Sequence, residues 1–133
     1  MKILHTSDLH LGDTWDSHPR LNDQVRVLRE ILGLCELHNV DMLLITGDIF
    51  ADRIKGSLSD VARQLLELLR DHLRRGRAVF LLRGNHDDFR FFQLLRILIN
   101  EMSGQDRWPL VIADLPMVYA VPGHQLQVLA LPY

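Results

Sequence analysis

Three apolar runs in this chain each end in a polar island, and that arrangement constrains the fold more than any other feature. Residues 3–7 run into Asp8-Leu9-His10, residues 40–46 into Gly47-Asp48, and residues 78–83 into Gly84-Asn85-His86-Asp87. The continuous stretch Met42-Leu43-Leu44-Ile45 suits a parallel strand covered on both faces. Between the runs the spacing turns helical. Leu21, Val25, Leu28, Leu32 and Cys35 recur at alternating four- and three-residue intervals, and Val61, Leu65, Leu68 and Leu69 line a second face. The order β-α-β-α-β-α implies an α/β fold with a parallel sheet and right-handed crossovers. Ligands of such sheets bind beyond the carboxyl ends of the strands. Carboxylate, imidazole and carboxamide groups therefore gather just past three strand ends.

The expected boundaries follow. Residues 2–7 form a first, central strand, and 11–19 a polar loop with Gly12 and Pro19. A helix spans 20–38, with Asn39 as its C-terminal cap. The second strand is 40–46 and a loop follows at 49–57. Ser57 or Ser59 caps the next helix, Asp60 suits its positive end, and Gly76 ends it after Arg75. The third strand is 78–83 and a third helix spans 89–102. Trp108-Pro109 then breaks the chain. Three short apolar runs follow at 110–113, 117–121 and 126–131, and Pro122-Gly123-His124-Gln125 reads as a hairpin turn between the last two.

The islands match the needs of phosphodiester hydrolysis: a nucleophile at neutral pH, charge relief at phosphorus and a stabilised leaving oxygen. Two divalent ions roughly 3.5–4 Å apart supply all three. Carboxylate and amide oxygens with imidazole nitrogens suit Mn²⁺ or a similar ion better than thiolates would. Asp8 and His10 alternate along an extended segment, so both can reach one ion. Asp48 has two oxygens to bridge a pair of ions, and Asn85 offers a neutral carbonyl to the second. His86 is placed to protonate the leaving oxygen or to stabilise the transition state. Asp87 is expected to hold the His86 ring and favour its protonated form. Taken singly, Asp8 and Asp48 read as turn or cap residues and Asn85 as a left-handed turn. Their joint placement at three strand ends favours the metal reading.

The remaining polar residues carry less. His5 reads as structural at the lip of the sheet, His18 as solvent-exposed, His38 and His72 as surface residues of helices, and His124 as a turn residue. The single Cys35 falls in a helical stripe and reads as a buried small hydrophobe that suits a reducing cytoplasm. The chain has 133 residues, 47% of them hydrophobic, which suits one domain over 1–133 with a real core. A net charge of −2 gives no global basic field. Arg70, Arg74, Arg75, Arg77, Arg83 and Arg90 cluster locally, as a solvated helix end with its flanks or as part of a phosphate-facing rim. No signal peptide is expected. No apolar stretch approaches the roughly 20 residues that cross a bilayer.

With these residues in view, the chain resembles the calcineurin-like metallophosphoesterases. Their pattern is Asp-x-His, Gly-Asp, Gly-Asn-His-Asp/Glu, a lone His and Gly-x-His, and the first three blocks are matched here. His5-Thr6-Ser7-Asp8-Leu9-His10-Leu11-Gly12 and Thr46-Gly47-Asp48-Ile49-Phe50 resemble the branch that holds the nuclease component of bacterial SbcCD repair complexes. Leu129-Ala130-Leu131-Pro132-Tyr133 resembles the strand before the fourth block. The resemblance implies the N-terminal part of an αββα sandwich, a pair of mixed sheets flanked by helices, with the last short strands in the second sheet. It implies two divalent ions, Mn²⁺ foremost: Asp8 and His10 on the first, Asp48 bridging, Asn85 on the second, and His86 catalytic with help from Asp87. It also implies DNA as substrate, cut as an exonuclease and as an endonuclease on single strands or hairpins. An SMC-like ATPase partner and a homodimer are implied as well, the dimer formed by the helices carrying Val61, Leu65, Phe92, Leu95 and Ile99.

The later histidine blocks of the pattern do not occur in these 133 residues. One imidazole of the first ion and two ligands of the second are then lacking, so a weak second ion, weak activity and association through an uncovered sheet face are expected of a shortened chain or fragment. Two other functions compete: a phosphoesterase of the same kind acting on small substrates, and a non-catalytic dimerisation or partner-binding module.

Overall fold

A computed structural model describes residues 1–54, 56–102 and 108–133. In chain order the elements are β1 (Ile3–Thr6), β2 (Thr14–Trp15), β3 (His18–Pro19), α1 (Leu21–Leu37), β4 (Met42–Thr46), α2 (Leu58–Arg74), β5 (Ala78–Leu82), α3 (Phe89–Met102), β6 (Leu110–Ala113), β7 (Met117–Ala120) and β8 (Gln127–Ala130). Four strands form one parallel sheet in the order β1-β4-β5-β6. Side chains alternate across it, as the strand period requires. Leu43, Ile45, Val79, Leu81, Leu110 and Ile112 face the helices and share a core with Leu28, Leu65, Leu69 and Phe92. Met42, Ala78, Phe80, Val111 and Ala113 face the other way, onto Val121 and Ala130 of the antiparallel β7–β8 hairpin. The molecule is thus layered as helices, sheet and hairpin. Each large side chain fully buried in these cores, Phe80 and Phe92 among them, contributes about 1.5–3 kcal/mol of transfer free energy.

The helix ends follow local chemistry. His38 closes α1 and Asn39 takes a left-handed φ of 50° just past it, a conformation that asparagine tolerates at helix ends. The Ser57 hydroxyl accepts from the Asp60 N–H at the start of α2. Beyond the helices, Arg96 of α3 pairs with the buried Asp114 at 2.8 Å and ties that helix to the end of β6.

The structure corrects several expectations. The first strand is not central: β1 lies at the edge of the sheet, and Ile3 is 48% exposed. Residues 110–113 do not join a second sheet but form the fourth parallel strand, because their four apolar side chains are buried on both faces. The loop at 11–19 contains a small hairpin, β2–β3. His72 is buried, not on the surface, since α2 turns it inward beside Leu69 and Leu73. Of the residues assigned to a dimer contact, Val61, Leu65 and Phe92 lie inside this chain's own core, because they point at the sheet. Leu95 and Ile99 instead line an apolar groove of about 620 Å³ between α2 and α3, with Leu66, Leu94 and Leu98. No described helix is long and apolar enough to cross a membrane.

Candidate metal centre

The three islands sit at one rim of the sheet, and backbone bonds hold their loops together. Beyond β1 and β4 the chains continue side by side: Asp8 N–H donates to the Gly47 carbonyl at 3.1 Å, His10 N–H to Asp48 at 2.9 Å and Leu11 N–H to Ile49 at 2.9 Å. Gly47 N–H donates in turn to the Leu82 carbonyl, bringing in the end of β5 at 2.8 Å. Asp8, His10 and Asp48 all have left-handed backbones, with φ of 57°, 44° and 50°. Non-glycine residues seldom adopt that region, and strained residues cluster where a site fixes side chains. Here the turn at each residue aims its side chain at the same point. The ligand atoms of Asp8, His10 and Asp48 lie within 4.8 Å of one another.

Two further parts close the site. A Cβ at Gly84 would stand 2.7 Å from the Gly47 Cα and would overlap Asp48, so only glycine lets these loops touch. The next residue but one, His86, donates its backbone N–H to Asp48 Oδ1 at 3.1 Å. The His86 ring lies edge-on to the His10 ring, with centroids 5.4 Å apart. Its Nε2 is 4.0 Å from Asp48 Oδ2, the same distance as His10 Nε2 from that oxygen. Asn85 lies exposed in this loop, between Gly84 and His86. Two carboxylates and an imidazole converging on one point form a hard oxygen and nitrogen donor set that fits a divalent cation. Asp48 is only 14% exposed at its side chain, so the site excludes water from one side.

A family model describing calcineurin-like phosphoesterases matches residues 1–129. The chain belongs to the calcineurin-like phosphoesterase family. Members of this family act with divalent metals, and the donor set just described is where this chain would hold one. The D subunit of the SbcCD nuclease of Bacillus subtilis is 34% identical over 89 residues, covering 66% of this chain and 22% of the relative. Its counterpart in Escherichia coli K12 is 36% identical over 88 residues, covering 65% and 21%. The double-strand break repair protein MRE11 of Encephalitozoon cuniculi is 44% identical over 50 residues, 38% of this chain and 9% of that protein. The matched region spans about a fifth of the two bacterial nuclease chains.

Asp87 does not hold the His86 ring as expected. Its buried carboxylate accepts from the backbone N–H groups of Phe50 at 2.8 Å, Gly84 at 2.8 Å and Ile49 at 3.2 Å. It clasps the loop after β4 to the loop after β5. The carboxylates facing the His86 ring are Asp48 and Asp52, the latter 3.9 Å from Nδ1. Sequence reasoning missed Asp52, one acidic residue in a polar loop. It also missed Gln24 of α1, whose amide donates to the His10 carbonyl at 2.6 Å and accepts from Gly12 N–H at 2.9 Å. A polar residue on an amphipathic helix gives no sequence signal for that bond. His5, read as structural, meets the Thr46 hydroxyl at 2.6 Å and bridges β1 to β4.

Proposed function

We propose that this phosphoesterase hydrolyses phosphodiester bonds of DNA as a metal-dependent nuclease, and that the chain carries the first part of a two-ion site. The observation that carries the reading is the convergence of Asp8, His10 and Asp48 from three left-handed turns. The likeness to the SbcCD nuclease chains supports DNA as the substrate class. A bound divalent ion would supply a low-pKa water and draw charge from the phosphate oxygens. The chain's own residues do the rest. Asp8, His10 and Asp48 would hold a first ion, and Asp48 with the Asn85 carbonyl would serve a second. His86 donates a proton to the leaving oxygen, and the bond from its backbone N–H to Asp48 fixes its loop beside the donor set. Carboxylate and amide oxygens with an imidazole nitrogen suit Mn²⁺ or a similar divalent ion.

The same reading takes residues 1–133 as part of one domain in a cytoplasmic repair enzyme, working with an SMC-like ATPase. It pairs with a second copy through the α2–α3 groove. The test is calorimetry with MnCl₂ followed by digestion of an end-labelled duplex. The wild-type chain is expected to bind Mn²⁺ and to release nucleotides slowly from duplex ends, and Asp48→Ala to do neither. Identical isotherms for the two would leave a non-catalytic module. A second reading, hydrolysis of small phosphoesters, draws on the net charge of −2, since duplex binding normally relies on many Lys and Arg contacts. Turnover of p-nitrophenyl phosphate without cleavage of DNA would decide for it.

A further inference from the structure

The β2–β3 hairpin, in the loop that follows His10, presents one aromatic ring to solvent. Trp15 is 70% exposed and belongs to neither apolar core. A lone exposed apolar residue is ordinary, but this one is built into a fixed frame. Asp13 N–H donates to the His10 carbonyl at 3.1 Å, and Arg20 N–H donates to the Asp13 carbonyl at 3.1 Å, closing the hairpin at its root. The Gln24 amide holds the same His10 carbonyl from α1. The hairpin therefore hangs from the backbone of a metal-ligand candidate. Four residues lie between His10 and Trp15, which bounds their Cα spacing at about 17 Å of extended chain. The Arg20 guanidinium sits over the indole, 5.8 Å from its centroid, within cation–π range. It leaves the rest of the ring open.

Resting on the phosphodiesterase reading above, we infer that Trp15 is a stacking platform for an unpaired base of a DNA strand entering the metal centre. A flat aromatic face paired with arginine stacks bases without choosing among them. The local charges favour stacking over phosphate attraction. Asp13 and Asp16 offset Arg20 in this segment, so binding here has a shallow dependence on salt. That separates the platform from a basic groove, whose affinity would collapse as salt rises.

The chain has two tryptophans, so Trp108→Phe leaves Trp15 as the sole fluorescent indole. The probe is oligothymidylate about 12 nucleotides long, within the usual span of single-strand sites, titrated in EDTA so that no hydrolysis occurs. The expected result is quenching of Trp15 by this strand and none by an abasic strand of equal length. By anisotropy of labelled strand, Trp15→Phe binds within a few-fold of wild type and Trp15→Ala binds roughly 5- to 150-fold more weakly, the range that one stacked base supplies. Circular dichroism checks that both variants are folded. Absent quenching, equal quenching by the abasic strand, or a Trp15→Ala chain that binds as wild type but changes oligomeric state would each overturn the inference. Quenching that persists in a chain that binds no Mn²⁺ and cleaves no DNA would leave the platform standing and remove the nuclease reading instead.

Discussion

At Asp87 one buried carboxylate answers three backbone donors from two loops. Removing it leaves those N–H groups without partners in a buried place, where each lost partner costs about 1–3 kcal/mol. Asp87→Ala is expected to lower stability by on the order of 3 kcal/mol, read as a shift of the urea midpoint. Under the proposed metal site, Mn²⁺ affinity should fall as well, because the Asp48 loop loses its tether. Gly84→Ala acts on the same joint by a different route. Its new methyl group meets Asp48 and Gly47, so calorimetry should show weakened Mn²⁺ binding with secondary structure intact by circular dichroism. The identities of Asp8, His10 and Asp48 as a converging set were legible in the sequence, since each follows an apolar run. The role of Asp87 was not. A carboxylate adjacent to a histidine invites the pairing expected of it, and only the fold shows that the backbone turns its oxygens toward Phe50 and Ile49.

Among the elements, α2 carries a pH-sensitive residue. Burial lowers the His72 pKa below its ordinary 6.5, and the neighbouring Arg77 lowers it further, against a bond to Ala78 and the charge of Glu36. The unfolded chain takes up a proton near 6.5 that the folded chain resists. The stability held by neutral His72 is therefore full above that pH and drains as pH falls through the folded value. Urea midpoints measured between about pH 7 and about pH 5 should fall, and His72→Leu should flatten that slope. The helices and central strands were legible because their periods are clean over many residues. The place of Leu110–Ala113 in the parallel sheet was hidden, because it turns on long-range pairing with β5 and a four-residue apolar run reads alike in either sheet. The inward turn of His72 was misread from its residue type rather than its position. Its spacing from Leu65, Leu68 and Leu69 puts it on the buried face of α2, but a polar side chain reads as a surface residue.

At the scale of the molecule, apolar surface among the described residues stays open at the α2–α3 groove with Leu94 and Leu98, and on the outer side of the hairpin with Val118 and Leu129. Sedimentation should find the chain larger than a monomer. Leu98→Glu should restore the monomer if the groove is the contact, and Leu129→Glu if the hairpin is. The edge position of β1 has its own outcome. Lys2 and Asp8 turn their bonded backbone groups toward β4 and its following loop, so by alternation those of Ile3 and His5 face away from the sheet. An outermost strand with a bare row of amides and carbonyls is a template onto which any extended segment can zip. Concentrated solutions should slowly gel into β-rich fibres that bind thioflavin, and His5→Pro should halt their growth.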